Sequence, residues 1–226
     1  MRRPLRSLIC IAAFALIMPA SYAACDDAPA RKVDWSGCSK ERLLLKDKAL
    51  QDSKFARAVL VGMNFTSADL SRASFLAAEI NHASFRDAVL EGATFEKSVA
   101  VRTNFSGARF GGANLEKAEF QRCNLARASL KGVNLSKGDF GRSVFDGADL
   151  TEATFRYSNI ARARFTGAKL AGTDLSSAFT FATRFEGTDL SAAKGLTQEQ
   201  INVACGDAKT RLPRGLKAPA AWPCVE

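Results

Sequence analysis

From Phe55 onward, every fifth residue is a slot for a large apolar side chain. Phe55, Leu60, Phe65, Leu70, Phe75, Ile80, Phe85, Leu90 and Phe95 follow one another without a slip. Ala100 and Thr180 are the exceptions in a register that continues to Leu190, so 26 of 28 consecutive slots hold Phe, Leu or Ile. Two residues before each slot the side chain is small: Ala at 16 of the 28 positions and Ser or Thr at eight more. Helices repeat every 3.6 residues and strands every 2. A strict period of five fits neither and marks a solenoid of stacked repeats. Inward positions that alternate large with small fill a narrow interior without voids.

The ends depart from this pattern. Val33-Asp34-Trp35-Ser36-Gly37 and Leu43-Leu44-Leu45-Lys46-Asp47 keep the phase, but Lys40 falls on an inward slot and Lys48 on a small one. Residues 24–50 therefore read as an imperfect opening coil that closes the first edge, because an open parallel edge invites aggregation. The regular repeat occupies 51–193 and a cap occupies 194–226. Within the cap, Leu196 to Ile201 predicts a short helix, with Thr197 as N-cap, Gln200 completing a capping box, and Leu196 and Ile201 as a hydrophobic staple. Gly206 is the expected stop. A tail from Leu212-Pro213 to Trp222-Pro223-Cys224 then folds back on it.

Segments such as Ala68-Asp69-Leu70-Ser71-Arg72, Ala113-Asn114-Leu115-Glu116-Lys117 and Ala148-Asp149-Leu150-Thr151-Glu152 resemble the A(D/N)LXX motif of pentapeptide repeat proteins. The resemblance covers about two thirds of the chain. It implies an all-β fold, a right-handed quadrilateral parallel β-helix of four pentapeptides per coil. About seven coils would give a rod on the order of 34 Å long at about 4.8 Å per layer. The cap also resembles the tail of many bacterial members, through Gly195-Leu196-Thr197-Gln198, Cys205-Gly206-Asp207 and Leu212-Pro213.

Outward positions, sorted by twenties, separate by charge. Two residues after the inward slot, one edge reads His82, Arg102, Arg122, Arg142, Arg162, and its neighbour reads Arg57, Ala77, Lys97, Lys117, Lys137, Tyr157. The other two edges are rich in glycine, which points to positive-φ corners there and to a different turn type at the basic ones. Two readings of the basic rows stand. Glu119 and Asp139, three residues before Arg122 and Arg142, and Glu96 and Glu116, beside Lys97 and Lys117, could simply neutralise them, as exposed ion pairs commonly do. Alternatively, the rows form an anion-binding edge of guanidinium and ammonium groups. Phe179 and Phe181 flank the inward Thr180. Unless the register slips, they form an exposed aromatic pair, with the C-terminal segment and Trp222 the expected cover and a partner contact the alternative. His82 reads as an ordinary solvated residue.

Charge and cysteines place the molecule. The chain has 226 residues, 32 Lys plus Arg, 23 Asp plus Glu and one His, a formal charge of +9. Thirteen of its 16 Phe lie in the five-residue register. Met1-Arg2-Arg3-Pro4-Leu5-Arg6, an apolar run from Leu8 to Met18, and Ser21-Tyr22-Ala23 read as a signal peptide, residues 1–23, cleaved before Ala24. Its loss leaves 29 − 23 = +6. The expected location is periplasmic or extracellular, with no transmembrane segment after processing. Acylation at Cys25 is the competing reading, although Tyr22 stands where a lipobox expects Leu. Five cysteines remain, and the close pairs Cys25–Cys38 and Cys205–Cys224 are expected as disulfides. Cys123 takes a small inward slot as a buried free thiol in place of Ala, without a reactive role.

No nucleophile–base pair, metal cluster or phosphate loop emerges from the sequence. The expectation is therefore a non-enzymatic, cofactor-free scaffold of the cell envelope, binding an unidentified protein or an anionic envelope polymer. The family resemblance also implies another role, mimicry of DNA to regulate a topoisomerase. That role needs an acidic cytoplasmic surface, which export and basic charge oppose. Nucleic acid is not an expected partner.

Overall fold

The computed structural model describes residues 24–224; the expected signal peptide lies outside them. The chain winds as a square rod. Parallel bridges join residues twenty apart, from Asp34 with Lys54 to Asp174 with Lys194, and every side of the square contributes one such column. Backbone N–H and C=O groups are thus satisfied between coils, as in Phe55 N–H to the Ser74 carbonyl at 2.7 Å and Lys54 N–H to the Val33 carbonyl at 2.8 Å. Each coil can hold its backbone polar groups only if another coil lies against it.

The inward register is as the sequence dictates. Phenylalanines two sides apart meet across the interior, and most of those one coil apart stack: Phe55 on Phe75 at 4.9 Å, Phe75 on Phe95 at 4.7 Å, and Phe65 on Phe85 at 4.7 Å between ring centroids, with Phe120 and Phe140 edge to face instead. The two stacks meet edge to face, for example Phe75 against Phe85 at 5.5 Å, the arrangement that ring quadrupoles favour. Where the small slot holds a polar residue, its side chain donates to a main-chain carbonyl, of the preceding coil for Thr103 to Ile80, Ser143 to Phe120 and Thr183 to Ile160, and of its own coil for Ser98 to Phe95. The cost of burying these hydroxyls is therefore offset.

The corners correct one expectation. From Lys32 to Gly187 every fifth residue has a left-handed φ, at basic and glycine corners alike: 56° at Arg122, 57° at Lys97, 67° at Gly112. Four identical turns are needed to close a square, and the amide of the same corner residue bonds to the next coil, as from Arg57 N–H to the Leu76 carbonyl at 2.8 Å. The stack therefore imposes one conformation whatever the side chain. A non-glycine residue there costs on the order of 1 kcal/mol, which the repeated packing absorbs.

The ends are closed by the predicted devices, with changes of detail. Square coiling already begins at Lys32, within the segment read as an imperfect opening coil. Lys40 avoids the interior by standing 4.7 Å from the centroid of the Trp35 ring, and Lys48 is exposed. A 3-10 turn at Ala24–Asp26 leads into the Cys25–Cys38 disulfide. At the other end, helix α1 (Gln198–Asn202) carries the Thr197–Gln200 capping box, and Ile201 is fully buried. The helix ends at Val203 rather than at Gly206. Gly206 has another task, because a Cβ there would lie 2.3 Å from the Trp222 ring. Bridges from Arg184 to Cys205 and from Asp189 to Arg211 continue part of the coil into the cap, and the Cys205–Cys224 disulfide pins the tail. Among the described residues no helix is long and apolar enough to cross a membrane.

Candidate functional site

The two basic edges occupy adjacent corners but differ in their neighbours. On the lysine edge the residue before each corner lysine is often acidic. Lys97 Nζ lies 3.5 Å from Glu96, and Glu116 is shared by Lys117 at 3.8 Å and Lys137 at 3.0 Å. The hydrogen bond from Lys137, with the charges of Lys137 and Lys117, holds the Glu116 carboxyl below the usual carboxylate range. Two carboxylates thus serve three lysines, and Arg57 on the same edge forms no ion pair among the described residues.

On the arginine edge the corresponding column, one residue before the corner, reads Val101, Gln121, Gly141, Ala161, Phe181. It offers no carboxylate. Arg102, Arg122, Arg142 and Arg162 are exposed, and none of them forms an ion pair or side-chain hydrogen bond among the described residues. Asp139, the expected partner of Arg142, is engaged elsewhere. It accepts from Gln121 Nε2 at 2.8 Å, Gly141 N–H at 2.9 Å and Asn159 Nδ2 at 3.0 Å. Each of these three lysines thus has a carboxylate within 4 Å, whereas none of the four arginines forms an ion pair among the described residues.

The aromatic pair lies at the end of that same edge. The register does not slip: Thr180 points inward, 1% exposed, and its hydroxyl donates to the Gln200 carbonyl at 2.7 Å. Phe179 and Phe181 stay 58% and 46% exposed, so the cap does not cover them. Their rings are near-parallel at 6.4 Å. Trp222 is committed to the cap, where its indole N–H donates to the Ala204 carbonyl at 2.7 Å.

Arginines and phenylalanines meet in one depression of about 330 Å³. Gly141 and Ala161 form its floor between the longer Gln121 and Phe181, so the corner column is notched for two coils. Arg122, Arg142 and Arg162, which follow this column in sequence, and Asp139, Asn159 and Phe179, which precede it, all line the depression. The Arg162 guanidinium sits 5.6 Å from the Phe181 ring centroid, a cation–π contact that leaves its in-plane N–H groups free to donate. Sequence reasoning singled out the arginines, Asp139 and the two phenylalanines, and missed Gly141, Ala161 and Asn159. Sorting the positions that precede the corners by twenties would have shown Gly141 and Ala161 between two large residues.

Cys123 is buried and unpaired. Burial pushes its thiol up to about 12, and Sγ donates to the Ala100 carbonyl at 2.7 Å, taking the place that Thr103 and Ser143 hydroxyls take in neighbouring coils. The Cys25 sulfur is bonded to Cys38, and a thioether lipid at that sulfur would have to break the bridge. His82 is an exposed corner residue.

Among solved structures, a trypsin-treated variant of QnrB1, a plasmid-mediated fluoroquinolone resistance protein, is 18% identical over 79% of this chain and 81% of its own, with a TM-score of 0.47. HetL, a pentapeptide repeat protein involved in heterocyst differentiation regulation in the cyanobacterium Nostoc sp. strain PCC 7120, is 23% identical over 85% and 90%, at 0.37. A pentapeptide repeat protein of the Arabidopsis thaliana thylakoid lumen is 22% identical over 59% and 68%, at 0.22. No curated protein matches the chain. The pentapeptide repeat region family matches residues 48–130 and 118–194, together 147 of 226. Well over half of the chain is covered, and it belongs to the pentapeptide repeat family.

Proposed function

We propose that this protein is a non-catalytic, exported scaffold of the cell envelope that binds an anionic partner along its arginine edge. The observation that carries the reading is the row Arg102–Arg122–Arg142–Arg162, exposed and free of ion pairs while the adjacent Lys97, Lys117 and Lys137 each lie within 4 Å of a glutamate. A row of guanidinium groups one coil apart is suited to carboxylates or phosphates, which each can bind through paired N–H donors. Export is supported by two disulfides, which persist in oxidising compartments. A non-catalytic role is supported by the packing, since the inward side chains from Phe55 to Leu190 leave the rod filled. The basic row and the positive net charge of the chain run against mimicry of DNA.

The test is direct. Replacing the four arginines by Gln should abolish salt-sensitive binding of polyglutamate, used as a soluble polyanion, with the melting temperature little changed. A wild-type protein that binds no polyanion at low salt would refute the reading.

A further inference from the structure

The depression at the end of the arginine edge has more definition than a row of charges. A polymer following the corner meets the wall of Phe181, because the notch over Gly141 and Ala161 is two coils long and is bounded by Gln121 and Phe181. It therefore suits the end of a chain better than its middle. Its anionic and apolar halves are also close. The 5.6 Å from the Arg162 guanidinium carbon to the Phe181 ring centroid is about the span of one or two residues, given a rise of about 3.3 Å each in an extended chain. A residue that carries both a carboxylate and an aromatic ring can reach both at once.

Asp139 lines the depression and keeps its negative charge, because its three donors are all neutral. Both oxygens of Asp139 are occupied by Gln121, Gly141 and Asn159, and Asn159 Oδ1 accepts from Ala161 N–H at 3.0 Å. The backbone at the groove is taken up by its own neighbouring coils: Arg142 N–H bonds to the Ala161 carbonyl and Arg162 N–H to the Phe181 carbonyl, both at 2.9 Å. A bound peptide cannot add itself as a strand here, so side chains must do the recognition. Three guanidinium groups against the one charge of Asp139 leave a surplus of 3 − 1 = 2, enough for two negative charges on a ligand.

From this, and resting on the reading of the arginine edge above, we infer that the depression is a receptor for the free C-terminus of a partner protein ending in an acidic residue followed by an aromatic one. The terminal carboxylate and the acidic side chain go to Arg122, Arg142 and Arg162. The terminal ring goes against Phe179 and Phe181. The chemistry is charge complementarity with an aromatic anchor, the combination that concentrates binding energy in small interfaces.

The experiment uses the mature, disulfide-bonded chain and fluorescently labelled peptides with the sequence Ser-Glu-Asp-Phe, one with a free C-terminus and one amidated. The free peptide is expected to bind at least about tenfold more tightly, the scale of one lost charge-assisted hydrogen-bond pair. Gly141→Gln should remove that difference by filling the floor. Its φ is ordinary, and Gln121 already occupies the same position one coil earlier. Should that variant fail to fold, Phe181→Ala with an unchanged melting curve serves instead, and it is expected to weaken the free peptide while sparing polyglutamate. Equal binding of the free and amidated peptides overturns the inference, as does unaltered binding by Gly141→Gln. Polyglutamate bound along the edge with no preference for a free end rejects the receptor and leaves the arginine edge standing. Loss of polyglutamate binding as well rejects both. A polyuronate glycan that outcompetes the free peptide also overturns it.

Discussion

The lysine and arginine edges have the same backbone, the same left-handed corners and the same one-coil spacing, yet only the lysines have carboxylates beside them. The difference lies in the residue just before the corner. Glu96 and Glu116 stand there on the lysine side, each within 4 Å of a corner lysine. Gln121, Gly141 and Ala161 stand there on the arginine side, and none carries charge. In a solenoid, side chains twenty residues apart are neighbours, so the column beside a charged row decides whether that row is solvated filler or a surface with a task. Arg72 makes the same point on another edge. It holds Asp52, twenty residues away, through two bonds of 2.7 and 2.9 Å.

The contrast can be broken most severely from inside. Phe95 is fully buried and stacked on Phe75 at 4.7 Å, with Phe105 at 5.9 Å. Phe95→Ala is expected to cost about 3–5 kcal/mol in urea unfolding and to remove both edges together, since each depends on the coil beneath it. A variant as stable as the parent would mean that the interior is not close-packed.

A smaller perturbation turns one edge into the other. Because Glu116 is held below the usual carboxylate range, its pairing with lysine is present at neutral pH and is lost as pH falls through that lowered value. In the four-Arg→Gln variant, binding to dextran sulfate, which stays charged in acid, is expected to be weak at pH 7 and to appear on acidification. Adding Glu116→Gln to that variant should bring the binding to pH 7. No gain in either case would show that local carboxylates are not what silences the lysines.

The smallest effect is expected at Cys123. Cys123→Ser preserves a donor to the Ala100 carbonyl, as Thr103 and Ser143 do in their own coils, and should shift stability by about 1 kcal/mol or less. The parent thiol should react with disulfide reagents only on unfolding. Reaction of the folded protein at a rate typical of exposed cysteines would contradict its burial beneath the arginine edge.

Much of this was legible from local pattern. The five-residue register fixed which residues face inward, because large and small side chains must alternate to fill a square interior. The capping box at Thr197 and Gln200 and the two cysteine pairs are short-range chemistry, and they stand as read. What escaped was set by neighbours one coil away. Residue identity did not choose the turn type, since the stack forces a left-handed φ on Arg122 and Gly112 alike. Asp139 looked like a partner for Arg142 three residues on, but its hydrogen bonds run along the floor to Gln121, Gly141 and Asn159. Gly206 looked like a helix stop, and its place was decided by Trp222 sixteen residues later. Phe179 and Phe181 were visible as an oddity, but their place at the end of the arginine row appears only when columns are compared.

On the proposed reading the arginine edge, and not the lysine edge, binds anions. The direct measurement compares two variants that each lose three charges, Arg122, Arg142 and Arg162 to Gln against Lys97, Lys117 and Lys137 to Gln, by titrating polyglutamate at rising salt. The arginine variant is expected to lose the binding and its salt dependence, while the lysine variant binds within about twofold of the parent, as exposed ion pairs contribute little. Equal losses in both variants would reduce the effect to net charge. Loss in the lysine variant alone would contradict the assignment.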